Sequence, residues 1–157
     1  MRTACFTGHR DVKFSQNMTQ RLSSILRQLI QNGVEDFYAG GALGFDMIAE
    51  RTVIMLREQY PQIKLHLILP CPKEEQTLRW NKAEKEEFNI IQALADTVEI
   101  CSPVYHTDCM KERNQRLVDL ADICICYYNE NNSRSGTGQT VRMVQKKGIQ
   151  LINIFSC

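Results

Sequence analysis

Three glycine-bearing segments stand beside residues able to grip an anion. They are Thr7-Gly8-His9-Arg10, Gly40-Gly41-Ala42-Leu43-Gly44-Phe45-Asp46 and Ser135-Gly136-Thr137-Gly138-Gln139-Thr140. Glycine lets a backbone approach a ligand closely and leaves its N–H exposed. A helix that starts just after such a loop adds the positive end of its dipole, a combination suited to phosphate. Arg10 could pair a phosphate through two N–H groups, as readily as it could sit in a surface turn. Asp46, in the first turn of its helix, could hold a ribose hydroxyl or simply favour the helix dipole. Glu50 is one turn further along the same face and reads as a surface glutamate. Arg113 and Asn114 stand at the start of a later helix, where a salt bridge or a helix-start role accounts for them as well as a ligand does. Thr137 and Thr140 bring hydroxyls to the third segment, and N-capping explains one of them. Any one of these loops can exist for turn geometry alone. Three together point to a ligand that carries phosphate.

Other chemistries are excluded. There is no Gly-x-x-x-x-Gly-Lys-[Ser/Thr] and no Gly-x-Gly-x-x-Gly after the first apolar run, so neither the P-loop nor the dinucleotide fingerprint is met. The seven cysteines, Cys5, Cys71, Cys101, Cys109, Cys124, Cys126 and Cys157, are odd in number and contain no Cys-x-x-Cys, unlike a disulfide scaffold. Cys124 and Cys126 would share one face of a strand and read as small core residues rather than a metal or redox pair. His9, His66 and His106 form no His-x-x-x-His pair, so no zinc site is expected. No metal and no resident cofactor are predicted. Nineteen basic against eighteen acidic residues give a net charge of +1, which argues against nucleic acid as a partner. No apolar stretch is long enough to span a membrane, and Met1 to Gly8 is too short and mixed for a signal peptide. A soluble cytoplasmic chain is expected.

The elements that must position these loops alternate regularly. Thr3–Thr7, Asp36–Ala39, Ile63–Leu69, Thr97–Ile100, Ile123–Tyr127 and Leu151–Phe155 are short, mostly apolar runs that read as strands. Helical patterns separate them. Leu22, Ile25, Leu26, Leu29 and Ile30 mark the first, which Asn32-Gly33 stops. The others run over Leu43–Gln59, Glu74–Ala95, Met110–Ala121 and Thr137–Lys147. Within Glu74–Ala95 an inner face would carry Trp80, Ala83, Phe88, Ile91 and Leu94, and the charges from Lys82 to Glu87 would form a solvated face. The 157 residues fit one domain. This βα alternation predicts a Rossmann-like, doubly wound, mainly parallel α/β sheet with helices on both faces. Right-handed crossovers then bring all three glycine loops to the carboxyl edge, with the turns at Gly8, Gly41 and Gly136 aiming their amides at one guest.

The residues also resemble a known superfamily. Gly41-Ala42-Leu43-Gly44-Phe45-Asp46 resembles the GGA-x-G-[IF]-D segment of the DNA-processing protein DprA. Met110-Lys111-Glu112-Arg113-Asn114, followed by Leu120-Ala121-Asp122, resembles the M-x-x-R-[KN] helix of the Lonely Guy phosphoribohydrolases. Both belong to the SLOG superfamily of Rossmann-like nucleotide-binding proteins. With Thr7–Arg10, Gln76, Trp80 and Ser135–Thr137 added, the set looks most like the small bacterial YpsA/YspA-like branch. The resemblance covers nearly the whole chain. It implies a nucleotide or ADP-ribose-like ligand touched by Thr7, Gly8, His9, Arg10, Gly40, Gly41, Gly44, Asp46, Arg113, Asn114, Gly136, Thr137, Gly138 and Thr140. Gln76 and Trp80 would lie near the same cleft, where Trp80 could stack on a base or pack the core.

One departure bears on chemistry. The hydrolytic Lonely Guy pattern is P-G-G-x-G-T-x-x-E. With its glycines on Gly136 and Gly138, Gln139 takes the threonine position and Arg142 the glutamate position. The Gly-Gly-Thr of the YpsA-like branch is Ser135-Gly136-Thr137 here. N-glycosidic cleavage needs a carboxylate near the developing positive charge. Its absence at position 142 favours a module that binds or senses the ligand without catalysis and leaves the catalytic residues unassigned. The alternative is an N-glycoside hydrolase with Asp46 or Glu50 as the carboxylate, and a second alternative is single-stranded DNA binding. An exposed apolar helix face would make a homodimer natural.

Overall fold

Ile123-Cys124-Ile125-Cys126 shows how the sheet is built. In the computed structural model, which describes residues 2–12 and 15–155, these four residues are fully buried. Their side chains alternate between two separate cores. Ile123 and Ile125 join Ala4, Phe6, Phe37, Leu65 and Leu67 on one face. Cys124 and Cys126 join Cys5 and Ile68 on the other. A strand that is apolar at every position is therefore buried on both sides, as in a parallel sheet.

The strands are β1 (Thr3–Gly8), β2 (Asp36–Ala39), β3 (Lys64–Leu69), β4 (Thr97–Ile100), β5 (Ile123–Tyr127) and β6 (Gln150–Asn153). All neighbouring pairs are parallel, in the order β4-β3-β2-β1-β5-β6. The fold is thus Rossmann-like α/β. The chain winds outward from β1 to β4, then returns to β5 on the other side of β1. The reversal of strand order lies between β1 and β5, where an open α/β sheet forms its crevice.

The helices are α1 (Gln16–Gln31), α2 (Phe45–Arg57), α3 (Lys73–Gln76), α4 (Lys82–Leu94), α5 (Cys109–Leu120) and α6 (Gly136–Lys147). α1, α2 and α4 cover the first face through residues such as Leu22, Leu26, Val53 and Phe88. α5 and α6 cover the second through Leu117, Val118, Val141 and Val144. That second face is lined by Cys5, Cys124 and Cys126, whose small side chains fill the space beneath two closely packed helices. Burial holds the Cys126 thiol up at about 12, so it is an inert core residue.

Capping sets the helix ends. Ser15 accepts the Met18 N–H, Ser135 accepts the Gly138 N–H, and Gly148 ends α6 at φ +82°. The single helix expected over Glu74–Ala95 is two. It breaks between Gln76 and Lys82 because Asn81 and Glu84 form a reciprocal capping box that starts α4 afresh. Trp80 sits in the break, with its ring edge-on to Phe88 at 5.5 Å. Among the described residues no helix is long and apolar enough to cross a membrane.

Candidate functional site

The end of β1 is clamped to its neighbours. The Gly8 position is close-packed, since a Cβ there would meet the Phe45 side chain. Gly44, at φ +82°, brings α2 so near the first loop that a Cβ would strike the backbone of His9 and Arg10. The His9 N–H donates to the Tyr127 carbonyl, and the His9 carbonyl accepts from the Phe45 N–H, each at 3.2 Å. His9 Nε2 accepts the Asn129 N–H at 2.9 Å. That nitrogen therefore carries no proton, and burial lowers the pKa of the ring. Neutral His9 ties the loop after β1 to the loop after β5.

Between these loops lies a cleft of about 600 Å³, large enough for a small organic ligand. Thr7, Gly8, His9 and Arg10 line it from β1, Asp46 from α2, Arg113 and Asn114 from α5, and Gly136 and Thr137 from the start of α6. Nine residues singled out from the sequence are thus brought to one wall system at the strand-order reversal. The wall also includes Asp11, Met110, Tyr127, Asn129, Asn132 and Phe155, which the sequence alone did not single out.

The other named residues do not line the cleft. Gly40 faces Arg113, and a Cβ on it would collide with the guanidinium. Gly41, at φ +69°, gives its N–H to Glu50 Oε2 at 3.0 Å and its carbonyl to Gln76 Nε2 at 3.0 Å. Gly138 packs against the Ser133 carbonyl. The buried Thr140 hydroxyl donates to the Gly136 carbonyl. Gln76 and Trp80 belong to the packing beside α4. Arg142 lies outside the cleft and donates to the Ser133 carbonyl at 2.8 Å, bracing the loop that leads into α6.

The second glycine loop is therefore an internal structure. Its Gly41 and Ala42 amides are taken by Glu50 and by Asp46 Oδ2, the latter at 3.2 Å. The expectation that the Gly41 amide is aimed at an anionic guest fails, because the acids on the first two turns of α2 already occupy this loop. Glu50 is fully buried rather than on the surface, and its Oε1 has no partner. Burial, then the neighbouring Asp46, pushes the Glu50 carboxyl well above its ordinary range. Burial likewise pushes Asp46 up to about 6, with Arg113 and the Ala42 amide pulling the other way.

Arg113 is the other buried charge, 5% exposed. It is the fifth residue of α5, not its first. Its Nε donates to Asn114 Oδ1 at 2.8 Å, one Nη to the Gly40 carbonyl, and the other approaches Met110 Sδ at 3.9 Å. None of the ion pairs among the described residues includes it. Close by, the Gly136 and Thr137 amides at the start of α6 have no acceptor among the described residues, as expected of the first N–H groups of a helix. The cleft thus offers a desolvated cation, two free amides and the exposed Arg10, opposite the single buried carboxyl of Asp46.

Comparison with known proteins agrees with this architecture. A family model described as the YspA SLOG family matches residues 5–155. The UPF0398 protein of Shouchella clausii is 34% identical over 131 residues, covering 82% of this chain and 67% of that protein. The UPF0398 protein of Bacillus pumilus is 30% identical over 122 residues, covering 76% and 64%. The UPF0398 protein of Staphylococcus haemolyticus is 32% identical over 115 residues, covering 70% and 59%. In these three the match spans about two thirds of the relative's length or less.

Proposed function

The chain belongs to the YspA SLOG family, and from that footing we propose that its cleft binds a phosphate-bearing, nucleotide-derived ligand without transforming it. The observation that carries this reading is Arg113. A guanidinium taken out of water without an ion-pair partner is costly. It is retained here with its donors beside a cleft of about 600 Å³. A phosphate supplies the missing counter-charge and accepts from a planar fork of N–H groups. The Gly136 and Thr137 amides add the helix dipole to the same anion, and Arg10 closes on it from the rim. Asp46, on the same wall, suits hydroxyl groups of a sugar rather than a second anion.

The absence of a carboxylate at position 142 and the engagement of Glu50 by the Gly41 amide favour binding over catalysis. The test is calorimetric titration with nucleoside monophosphates and ADP-ribose. Saturable binding that phosphate competes away supports the reading. No binding by any phosphorylated compound overturns it.

A second reading rests on Asp46 alone. Its carboxyl lines the cleft and is held up to about 6 by burial, which is the range of a working acid–base group. As a carboxylate it could stabilise an oxocarbenium-like centre during N-glycoside hydrolysis. Release of free base from a nucleoside monophosphate, abolished by Asp46→Asn, would establish this reading and displace the first.

A further inference from the structure

The cleft has a second, chemically different corner. Phe155 follows β6 and is 42% exposed although it lines the cleft. Its ring meets Tyr127 edge-on, with centroids 5.1 Å apart and planes at 83°. That contact leaves Tyr127 off the faces of the Phe155 ring. Tyr127 in turn stacks on Phe45 at 6.0 Å and 22°, so the platform is braced from the core. Asn132 lines the same cleft, and its side-chain carboxamide makes no hydrogen bond among the described residues. A half-wet aromatic ring on a braced support, with a free donor–acceptor amide in the same cleft, matches the needs of a flat heterocycle: stacking on a π-face and pairing along an edge.

We propose that the Tyr127–Phe155 corner seats a nucleobase, stacked on Phe155 with the Asn132 carboxamide available to its edge. This rests on the phosphate reading of the Arg113 end. A ligand filling both ends carries an anion at one end and an aromatic ring at the other, so the preferred class is a nucleoside phosphate rather than a sugar phosphate. Trp80, the only tryptophan, takes no part, because it packs on Phe88 away from the cleft.

The test titrates adenosine, guanosine, cytidine and uridine 5′-monophosphates and ribose 5-phosphate into the wild-type chain and into Phe155→Ala and Phe155→Tyr. At least one monophosphate is expected to bind about tenfold or more tightly than ribose 5-phosphate, the scale of one base–aromatic stack. Phe155→Ala should erase that advantage and leave ribose 5-phosphate affinity unchanged, while Phe155→Tyr keeps it. If Phe155→Ala loosens the fold, Phe155→Leu retains the apolar bulk and should lose the same selectivity. Equal affinity for ribose 5-phosphate and every monophosphate in the wild type overturns the base corner while leaving the phosphate end standing. So does an equal loss for both classes in Phe155→Ala. If nothing phosphorylated binds, the phosphate reading falls and the base corner falls with it.

Discussion

The Arg113 guanidinium on α5 donates to the carbonyl of Gly40 at the end of β2, joining residues 73 positions apart in sequence. The contact explains the glycine, since any Cβ at position 40 would occupy the guanidinium's place. It also couples the sheet edge to the cleft, because the group that satisfies Gly40 is the one left without a counter-ion.

Gly40→Ala should therefore displace Arg113 rather than unfold the chain. Overpacking of this kind costs about 1–3 kcal/mol. Urea unfolding should show a loss of that size, and calorimetry should show a larger proportional loss of nucleoside monophosphate affinity. Unchanged affinity in a destabilised protein would separate Gly40 from the site.

Gly136 behaves in the opposite way. A Cβ there meets nothing within 4 Å, and the residue is exposed at the start of α6 on the cleft wall. Gly136→Glu should leave the melting temperature within about 2 °C, as for a surface substitution. It should abolish binding by placing a carboxylate where an anion is to sit. Retained binding would remove the start of α6 from the site.

Much of the fold was legible in the sequence because apolar runs buried on both faces carry their own signature. Thr97–Ile100 and Ile123–Tyr127 are strands over the residues their apolar character marks. The break before α4 was masked by the charges from Lys82 to Glu87, although Asn81 and Glu84 spell a capping box. The site was legible where a residue's type implies its role, as at Gly8 and Arg113. It was opaque where partners are distant in sequence. Glu50 looks like a surface residue until α2 is docked and its carboxylate meets the Gly41 amide. Tyr127, Asn132 and Phe155 become neighbours only once β1, β5 and β6 lie side by side.

The buried acids make stability depend on pH. Asp46 is held up to about 6 and Glu50 well above its ordinary range, in both cases chiefly by burial. The unfolded chain releases these protons near pH 4. Above that, the folded state binds more protons than the unfolded one. The contribution is thus fully present below about pH 4 and is lost as pH rises through the folded pKa values. Glu50→Gln can still accept the Gly41 amide and removes one of the two charges. It should flatten the decline seen in urea titrations between about pH 5 and 8 and add roughly 1–3 kcal/mol at pH 8. A variant that is less stable at pH 8, with the slope intact, would contradict this.

Trp80 reports on what lies outside the cleft. It is 9% exposed and packed on Phe88, so its emission should be blue-shifted in the folded chain. Saturation with a bound nucleoside monophosphate should leave that emission unchanged. Strong quenching by ligand would place the indole at the site after all.

The most direct measurement is a paired calorimetric titration of nucleoside monophosphates into the wild-type chain and into Arg113→Ala. The account predicts one site per chain in the wild type. In Arg113→Ala the affinity should fall about thirtyfold or more, the scale of a lost charge-assisted pair, in a protein that melts no lower than the wild type. Equal affinity in the two proteins would contradict the claim that this buried cation awaits a phosphate.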